Sequence, residues 1–245
     1  GGLSALSMAW ILGPRRGKYS SDGGPAAIPA HNVVQVLAGC MFAWVGWLGL
    51  NSASAILFHH SEPSEVVLIV VNTTLSAGAS GLTAAVVTRF RFGRPDASLT
   101  ANGWMAGLVA SSAAAAFLKP PTAILTGAVA GALVVLAIDV LEFRLTIDDP
   151  GGTISVHAVA GLWGLLSVAL LSDAESTGQW LAQLIGIATL LGLIFPLIHA
   201  LNWMIDRAYP HRVEADGEWQ GMDLHELGAG AYPEFVVHSD EFTER

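Results

Sequence analysis

His157 has the clearest potential for chemistry in this chain, because it is an ionisable side chain inside a long uncharged segment. No Asp, Glu, Lys or Arg occurs between positions 150 and 172, and His157 lies about one helical turn inside this segment. Ala160, Gly161 and Gly164 follow on the same helical face, so the imidazole faces either a closely packed helix or a narrow lumen. Ionisable groups inside membranes usually serve a function, which for an imidazole includes proton relay. The alternative, an interhelical hydrogen bond without a role in function, stays open.

A second set of polar and aromatic residues lies in two earlier apolar segments. Together these residues would give an outer vestibule hydrogen-bond acceptors and aromatic faces, and such faces attract small cations by about 0.5–2 kcal/mol per contact. The alternative is that the hydroxyls bond to their own helices and that the amides bridge neighbouring helices. The residues are Trp44, Trp47, Asn51, Ser52 and Ser54, followed by Asn72 and Thr73.

The composition narrows the class of protein that could position these groups. The 245 residues are 53% hydrophobic and 13% charged, with a mean hydropathy of +0.55, which excludes a disordered chain and argues against a soluble enzyme. A net charge of −9 argues against nucleic-acid binding. The single cysteine, Cys40, excludes a disulfide framework and a cysteine-rich metal or iron–sulfur site. We therefore expect neither a metal nor a cofactor.

The distribution of charge predicts an all-α integral membrane protein, a polytopic bundle of about seven transmembrane helices. The charge-free segments are mostly of the length needed to cross about 30 Å of hydrocarbon, roughly 20 residues. Small residues four apart, such as Gly127 and Gly131, allow close approach of helices. The predicted helices cover 1–13 (clipped at its start), 32–57, 66–88, 102–117, 122–142, 154–171 and 179–205.

Basic residues in alternate loops predict the orientation of the chain. By the positive-inside rule, the loops that contain Arg15, Arg89, Arg144 and Arg207 lie in the cytoplasm, whereas the loops between them contain only Lys119. The sequence thus divides into a transmembrane domain, 1–208, and an acidic cytoplasmic C-terminal tail, 209–245. The tail has too few large apolar residues for a core of its own, so it is either disordered or docked on the cytoplasmic face.

Several short segments, taken in order, resemble the ammonium transporter family (Amt/Mep/Rh). Each segment alone is weakly diagnostic, but the ordered set at matching spacing is specific and covers nearly the whole chain. The segments are 12–17 (LGPRRG), His31-Asn32, 46–54 (GWLGLNSAS), 71–73 (VNT), 106–109 (AGLV), 148–150 (DDP), 156–164 (VHAVAGLWG), 221–224 (GMDL) and Ala231-Tyr232.

The resemblance implies an eleven-helix, trimeric membrane fold with a narrow pore through each protomer. The helices of this chain would be the family's fifth, clipped, to eleventh. His157 would be the second of two pore histidines, and the first would lie just ahead of this chain. Trp47, Leu50 and Asn51 would join His157 along the conduction path, and Ser54 would be the serine of the outer ammonium recruitment site. The resemblance also implies a PII-type regulatory protein at the cytoplasmic face.

The chain departs from the family pattern at four positions. Leu50 stands where many members have an aromatic residue beside the outer gate. Gly152 stands where many have an aspartate. In the tail, Leu227 and Ala229 replace a histidine and an acidic residue, which puts the usual regulation in doubt.

The functional hypothesis is ammonium transport in the cell membrane, without enzymatic activity. Ammonium would be recruited outside and deprotonated, and ammonia would pass a hydrophobic pore beside His157. An alternative is an ammonium sensor that signals through the cytoplasmic tail with little flux. A membrane cytochrome would need a second histidine paired with His157 as haem ligand, and the sequence shows none. The expected partners are ammonium or ammonia, membrane lipid and two further copies of the chain.

Overall fold

The computed structural model describes residues 1–19, 24–59, 62–172 and 177–230, and within them the chain forms nine α-helices. All seven predicted helices are present, and the Ala231-Tyr232 segment of the family resemblance lies outside the described residues. The helices are α1 (Gly2–Leu12), α2 (Val33–His59), α3 (Val66–Phe92), α4 (Ala97–Ala114), α5 (Pro120–Asp139), α6 (Ala160–Leu171), α7 (Thr177–Thr189), α8 (Phe195–Ala208) and α9 (Ala215–Gln220).

Within the described ranges, five segments are long and apolar enough to cross a membrane: Val33–Phe58, Pro63–Phe92, Pro120–Arg144, Pro150–Leu171 and Gly178–Ala208. The shorter α1 has 11 residues. The 18-residue α4 lies at the centre of the bundle, where it packs against α2, α3, α5 and α6. Because α4 faces other helices rather than lipid, it can carry Ser111 and small residues instead of large apolar side chains.

Two of the predicted helix boundaries differ from the observed ones by more than one turn, for local reasons. We predicted that the third helix ends at 88, but α3 continues to Phe92 and ends where Gly93 adopts a left-handed conformation at φ +77°. We predicted a start at 102 for the fourth helix, but α4 begins at Ala97, because the Asp96 carboxylate accepts a hydrogen bond from the Leu99 amide at 2.8 Å.

Three π-helical turns interrupt the predicted continuous helices. One, Val140–Arg144, follows α5, and another, Leu190–Ile194, joins α7 to α8. The turn at Leu190–Ile194 directly precedes Pro196, which cannot donate a backbone hydrogen bond to the helix before it. The third, Ser155–Val159, leads into α6 and contains His157. Because π-turns in helices often mark functional sites, the third turn draws attention to that histidine.

Backbone-to-backbone packing of α3 against α4 and α5 forms the centre of the bundle. A Cβ atom at Gly127 or Gly131 of α5 would collide with the backbone carbonyl oxygens of Ser76 and Ser80 on α3. The Ser76 hydroxyl in turn donates to the carbonyl oxygen of Gly107 on α4 at 2.9 Å. The adjoining core consists of small or branched side chains: Ala84, Ala106, Ala110, Ala130, Val134, Val135, Val156 and Ala160.

An ion pair fastens the loop after α1 to the loop before α6. The Arg15 guanidinium donates to both carboxylate oxygens of Asp148, at 2.7 and 2.8 Å, and the Arg15 amide donates to the same carboxylate at 3.0 Å. Nearby, the buried Lys18 ammonium lies 2.7 Å from a Glu142 oxygen. Burial alone would raise the pKa of Asp148, but the hydrogen bonds and charge of Arg15 outweigh it and hold this pKa below its ordinary value.

The described part of the tail docks against the same loop. The Arg212 guanidinium donates to the carbonyl oxygens of Leu12 and Pro14, at 2.7 and 2.9 Å, and so satisfies the C-terminal end of α1. Glu218 of α9 accepts from the Arg16 amide at 2.8 Å and from Arg212. The amide hydrogen bond from Arg16, followed by the Arg212 contact, lowers the pKa of Glu218. Of the two alternatives for the tail, docking therefore holds for this part.

Substituting Gly127 with alanine tests the close approach of α3 and α5. Because the new methyl group would meet the Ser76 carbonyl, we expect Gly127→Ala to destabilise the protein by about 1–3 kcal/mol. Thermal unfolding of the purified protein in detergent measures this. The matched control is Gly78→Ala on α3, where an added Cβ meets nothing within 4 Å. Equal stability of the two variants would contradict the packing described.

Asp148→Asn tests the ion pair through its pH dependence. Because the pKa of Asp148 is lowered in the folded state, the pair stabilises the protein above the ordinary aspartate pKa of about 3.9, and this contribution fades as the pH falls below it. We expect Asp148→Asn to be less stable at pH 7 by about 2 kcal/mol and to lack this part of the pH dependence. The free energy of unfolding of wild type and variant, measured from pH 3 to 7, tests this prediction. Asp216→Asn, at an exposed aspartate, is the control.

Candidate functional site

Asp149 and a glycine turn fix the start of the helix that carries His157. The Asp149 carboxylate accepts hydrogen bonds from the amides of Ile154 and Ser155, at 2.8 and 2.9 Å, and from the Ser155 hydroxyl at 2.9 Å. It thereby satisfies free amides at a helix N-terminus. Asp149 is almost fully buried, so these bonds hold the backbone two residues before His157 in one position.

The turn before the π-helical segment requires a glycine at position 152. Its φ of +72° lies in the left-handed region, and a Cβ atom there would lie 2.6 Å from the side-chain nitrogen of Asn102 on α4. An aspartate at this position, as in many family members, would strain the backbone and displace Asn102. The departure from the family pattern at 152 therefore matches the local geometry of this chain.

The His157 ring stacks on the Trp47 indole. The two ring centroids are 6.4 Å apart and the planes are inclined by 22°. The Trp47 indole nitrogen donates to the Ser112 hydroxyl of α4 at 2.8 Å, which fixes the plane of the indole. Since His157 is half-buried, the site consists of an aromatic pair between α2 and the π-turn, held in orientation by α4.

Asn51 lies at the centre of a buried hydroxyl cluster one turn from Trp47. Its amide nitrogen donates to the hydroxyls of Thr73 on α3 and Ser111 on α4, each at 3.0 Å. Asn51 is 6% exposed, and both hydroxyl partners are buried as well. The cluster therefore ties three helices together, in the way expected for an amide inside a bundle.

Leu50 and Ser54 share the Trp47 face of α2, because spacings of three, four and seven residues fall on one side of a helix. Ser54 is half-buried, whereas Leu50 is 53% exposed. All four predicted residues of α2 are thus on the side of the helix that meets His157, and two of them, Trp47 and Asn51, make the contacts described.

For two groups of residues, the structure decides between the alternatives that the sequence left open. Asn72 does not line a vestibule: it is fully buried, and its amide nitrogen donates to the carbonyl oxygens of Ala115 and Leu118, beyond the end of α4. The small-residue face beside His157 meets a neighbouring helix rather than a lumen. A Cβ at Gly164 would lie 2.7 Å from the Ala110 carbonyl oxygen, and Gly161 lies beside Val109.

Sequence reasoning missed Ser111 and Ser112, which orient Asn51 and Trp47. The sequence did contain a sign of these hydrogen-bonding residues, because two adjacent hydroxyl side chains follow the segment 106–109 within a charge-free helix. Helical periodicity alone could not assign them to α2, since it gives the direction of a side chain but not the identity of the neighbouring helix.

The sequence matches the model of the Ammonium Transporter Family over residues 1–232. The chain is 36% identical to ammonium transporter Amt2 of Archaeoglobus fulgidus over 258 residues, covering 98% of this chain and 54% of that protein. It is 31% identical to ammonium transporter Amt2 of Haloferax mediterranei, covering 96% of this chain and 55% of that protein.

Solved structures agree with this match. A protein titled Sensor Amt Protein superposes with a TM-score of 0.85 at 30% identity, covering 92% of this chain and 56% of that protein. Mep2 of Saccharomyces cerevisiae superposes with a TM-score of 0.75 at 28% identity, covering 88% of this chain and 52% of that protein. The chain spans about half the length of the relatives it matches. The helix order, the matched residues and the superpositions together establish that this chain belongs to the ammonium transporter family.

Proposed function

We propose that the complete protein carries ammonium across the cell membrane through a hydrophobic pore, and that His157 and Trp47 form part of the pore wall. The observation that carries this proposal is the stacked His157–Trp47 pair inside a bundle of apolar helices. Membership of the ammonium transporter family supports it independently.

The cost of desolvation determines which form of the solute crosses. Moving a small cation from water into a medium of low dielectric costs about 20 kcal/mol in the idealised Born calculation, whereas an uncharged amine loses only hydrogen bonds, about 2–7 kcal/mol. An apolar pore therefore favours ammonia over ammonium. It also rejects potassium, which has no neutral form. Ammonium must then give up its proton at the outer end of the apolar region, so that the proton and ammonia cross as separate species.

His157 is the group of this chain that can exchange a proton with the solute. In the stacked arrangement one face of the imidazole is turned toward the indole, and the imidazole nitrogen atoms lie on the ring edge, where they can donate to or accept from ammonia. A neutral imidazole offers both functions at once. We therefore assign His157 to hydrogen bonding of ammonia and to proton relay.

The remaining predicted site residues receive roles on the outer side of this pair. Ser54 offers a hydroxyl oxygen for recruitment of ammonium, and the exposed Leu50 supplies an apolar barrier where other members have an aromatic residue. Asn51 positions the Trp47 turn of α2 through Thr73 and Ser111. Trp47 adds an aromatic face, which attracts cations.

The assembly and topology are also part of the proposal. We infer a homotrimer embedded in membrane lipid, with the transmembrane domain at 1–208 and the tail at 209–245 in the cytoplasm. The arginines of alternate loops support this orientation. The docked tail, at Arg212 and Glu218, would give a PII-type regulatory protein a surface at the cytoplasmic face.

Transport is favoured over sensing, because the curated relatives are named ammonium transporters, although one structural neighbour is titled a sensor. Reconstitution of the complete protein into liposomes distinguishes the two. A transporter moves ammonium at a rate well above that of empty vesicles, whereas a sensor binds ammonium without appreciable flux.

His157→Ala should reduce ammonium uptake into proteoliposomes by about 100-fold, because a positioned acid–base group contributes about 10²–10⁴ to a proton-transfer step. The control is His211→Ala, which removes an exposed histidine bonded to Asp206. Unchanged rate and unchanged discrimination against potassium in His157→Ala would refute the assigned role.

Ser112→Ala should reduce uptake by about two- to tenfold, because the indole loses a hydrogen bond worth about 0.5–1.5 kcal/mol that fixes its plane over His157. Ser112→Thr keeps the hydroxyl and should restore most of the activity. Thr122→Ala, which removes an exposed hydroxyl that donates to the Lys119 carbonyl oxygen at the start of α5, serves as the control. Equal rates for Ser112→Ala and wild type would show that the bond has no role.

A further inference from the structure

A second intramembrane histidine, His199, joins a polar cluster that the pore proposal does not use. The Ser7 hydroxyl oxygen of α1 lies 3.0 Å from the His199 Nδ1 atom of α8. The Asn202 amide of α8 donates to the same Ser7 oxygen at 3.1 Å. Ser7 is fully buried, so its hydroxyl is the shared partner of both α8 side chains.

Two aromatic rings lie beside the cluster. Trp10, one turn after Ser7, meets the His199 ring edge-on, with centroids 6.1 Å apart. Phe195, one turn before His199, lies 6.2 Å from the same ring and 5.9 Å from that of Trp10. The hydrogen bonds are therefore formed beside aromatic side chains, and in the hydrocarbon of a membrane water would not compete for them.

The cluster is the main polar attachment of α8 to the described bundle. Large side chains elsewhere on α8, including Leu197, Leu201 and Met204, are more than half exposed. Between two apolar helices in lipid, the hydrophobic effect provides little preference for one contact over another, so interhelical hydrogen bonds select the partner. Ser7, His199 and Asn202 therefore define how α8 sits on α1.

The opposite side of α1 lies directly against the backbone of the π-turn that holds His157. A Cβ atom at Gly2 would lie 2.7 Å from the His157 carbonyl carbon and would collide with the Ala158 amide. Ala5, Leu6 and Ala9 pack on the cluster of Leu141, Ile147 and Ile154 just below. Gly2 has no side chain that could change its conformation between the two backbones. A shift of α1 would therefore displace the His157 backbone directly.

We propose that Ser7, His199 and Asn202 form a clasp that locks α8 to α1 and, through α1, positions His157. His199 is then a positioning residue rather than a residue of the pore wall. The uptake test below rests on the proposed function. The labelling test does not, because it measures the position of residue 157 directly.

The first test measures the accessibility of position 157 in the complete protein. In a background without other cysteines, His157→Cys is labelled with a methanethiosulfonate reagent, with and without Ser7→Ala. We expect the clasp variant to change the labelling rate by about threefold or more, the equivalent of one interhelical hydrogen bond. Ser4→Ala on α1 and Thr189→Ala on α7, whose hydroxyl bonds to its own helix, are the controls and should leave the rate unchanged. Equal labelling rates in all four backgrounds would overturn the proposal.

The second test measures substrate discrimination with His157 intact. In Ser7→Ala and Asn202→Leu, normalised to folded protein, we expect the ratio of methylammonium to ammonium uptake to change by about threefold, and the double variant to match the single ones. If the three residues only stabilised the fold, the variants would lower the uptake of both solutes equally and leave the ratio unchanged. That result would also overturn the proposal. If wild type transports neither solute, the proposed function fails, and the labelling result alone decides on the clasp.

Discussion

The close approach of α3, α4 and α5 is the constraint on which the rest of the structure depends. Gly127 and Gly131 let α5 contact the α3 backbone at Ser76 and Ser80, and the two serine hydroxyls bond to carbonyl oxygens of α4. In an apolar environment, the hydrogen bonds and the van der Waals contacts reinforce each other, because both need backbones at short distance. The resulting three-helix core gives α2 and α6 a fixed surface to pack on.

The candidate site is built outward from that core. Ser111 and Ser112 of α4 point to α2, where they hold Asn51 and the indole of Trp47. Ala110 of the same helix receives Gly164 of α6, and Asn102 closes over Gly152 at the turn before the π-helical segment. One helix therefore sets the positions of both aromatic partners, although neither Trp47 nor His157 belongs to it.

The loops at the Arg15 end connect this arrangement to the tail. Asp148 binds Arg15, and the adjacent Asp149 caps the segment that leads to His157. Arg16, the neighbour of Arg15, donates its amide to Glu218 of α9. Consecutive residues thus link the segment that carries His157 to the loop and the loop to the tail, and pairing with Arg15 compensates for the burial of the Asp148 carboxylate.

The sequence by itself determined the type and approximate limits of the seven long helical segments between positions 1 and 208, because charges are excluded from segments that cross hydrocarbon. It also indicated His157, since an ionisable side chain within such a segment stands out from the apolar background. Where boundaries were missed, as at Asp96 and Phe92, capping hydrogen bonds or a left-handed glycine decided the end of the helix rather than hydropathy.

The tertiary structure alone decided which groups meet. Helical periodicity gives the direction of each side chain relative to its own axis, but the rotation and order of the helices come from glycine and serine contacts that hydropathy does not register. For this reason the sequence left open whether Asn72 lines a vestibule and whether the face of Gly161 and Gly164 borders a lumen, and the structure shows helix packing at both. The stack of His157 on Trp47, 110 positions away in the chain, follows from the same packing.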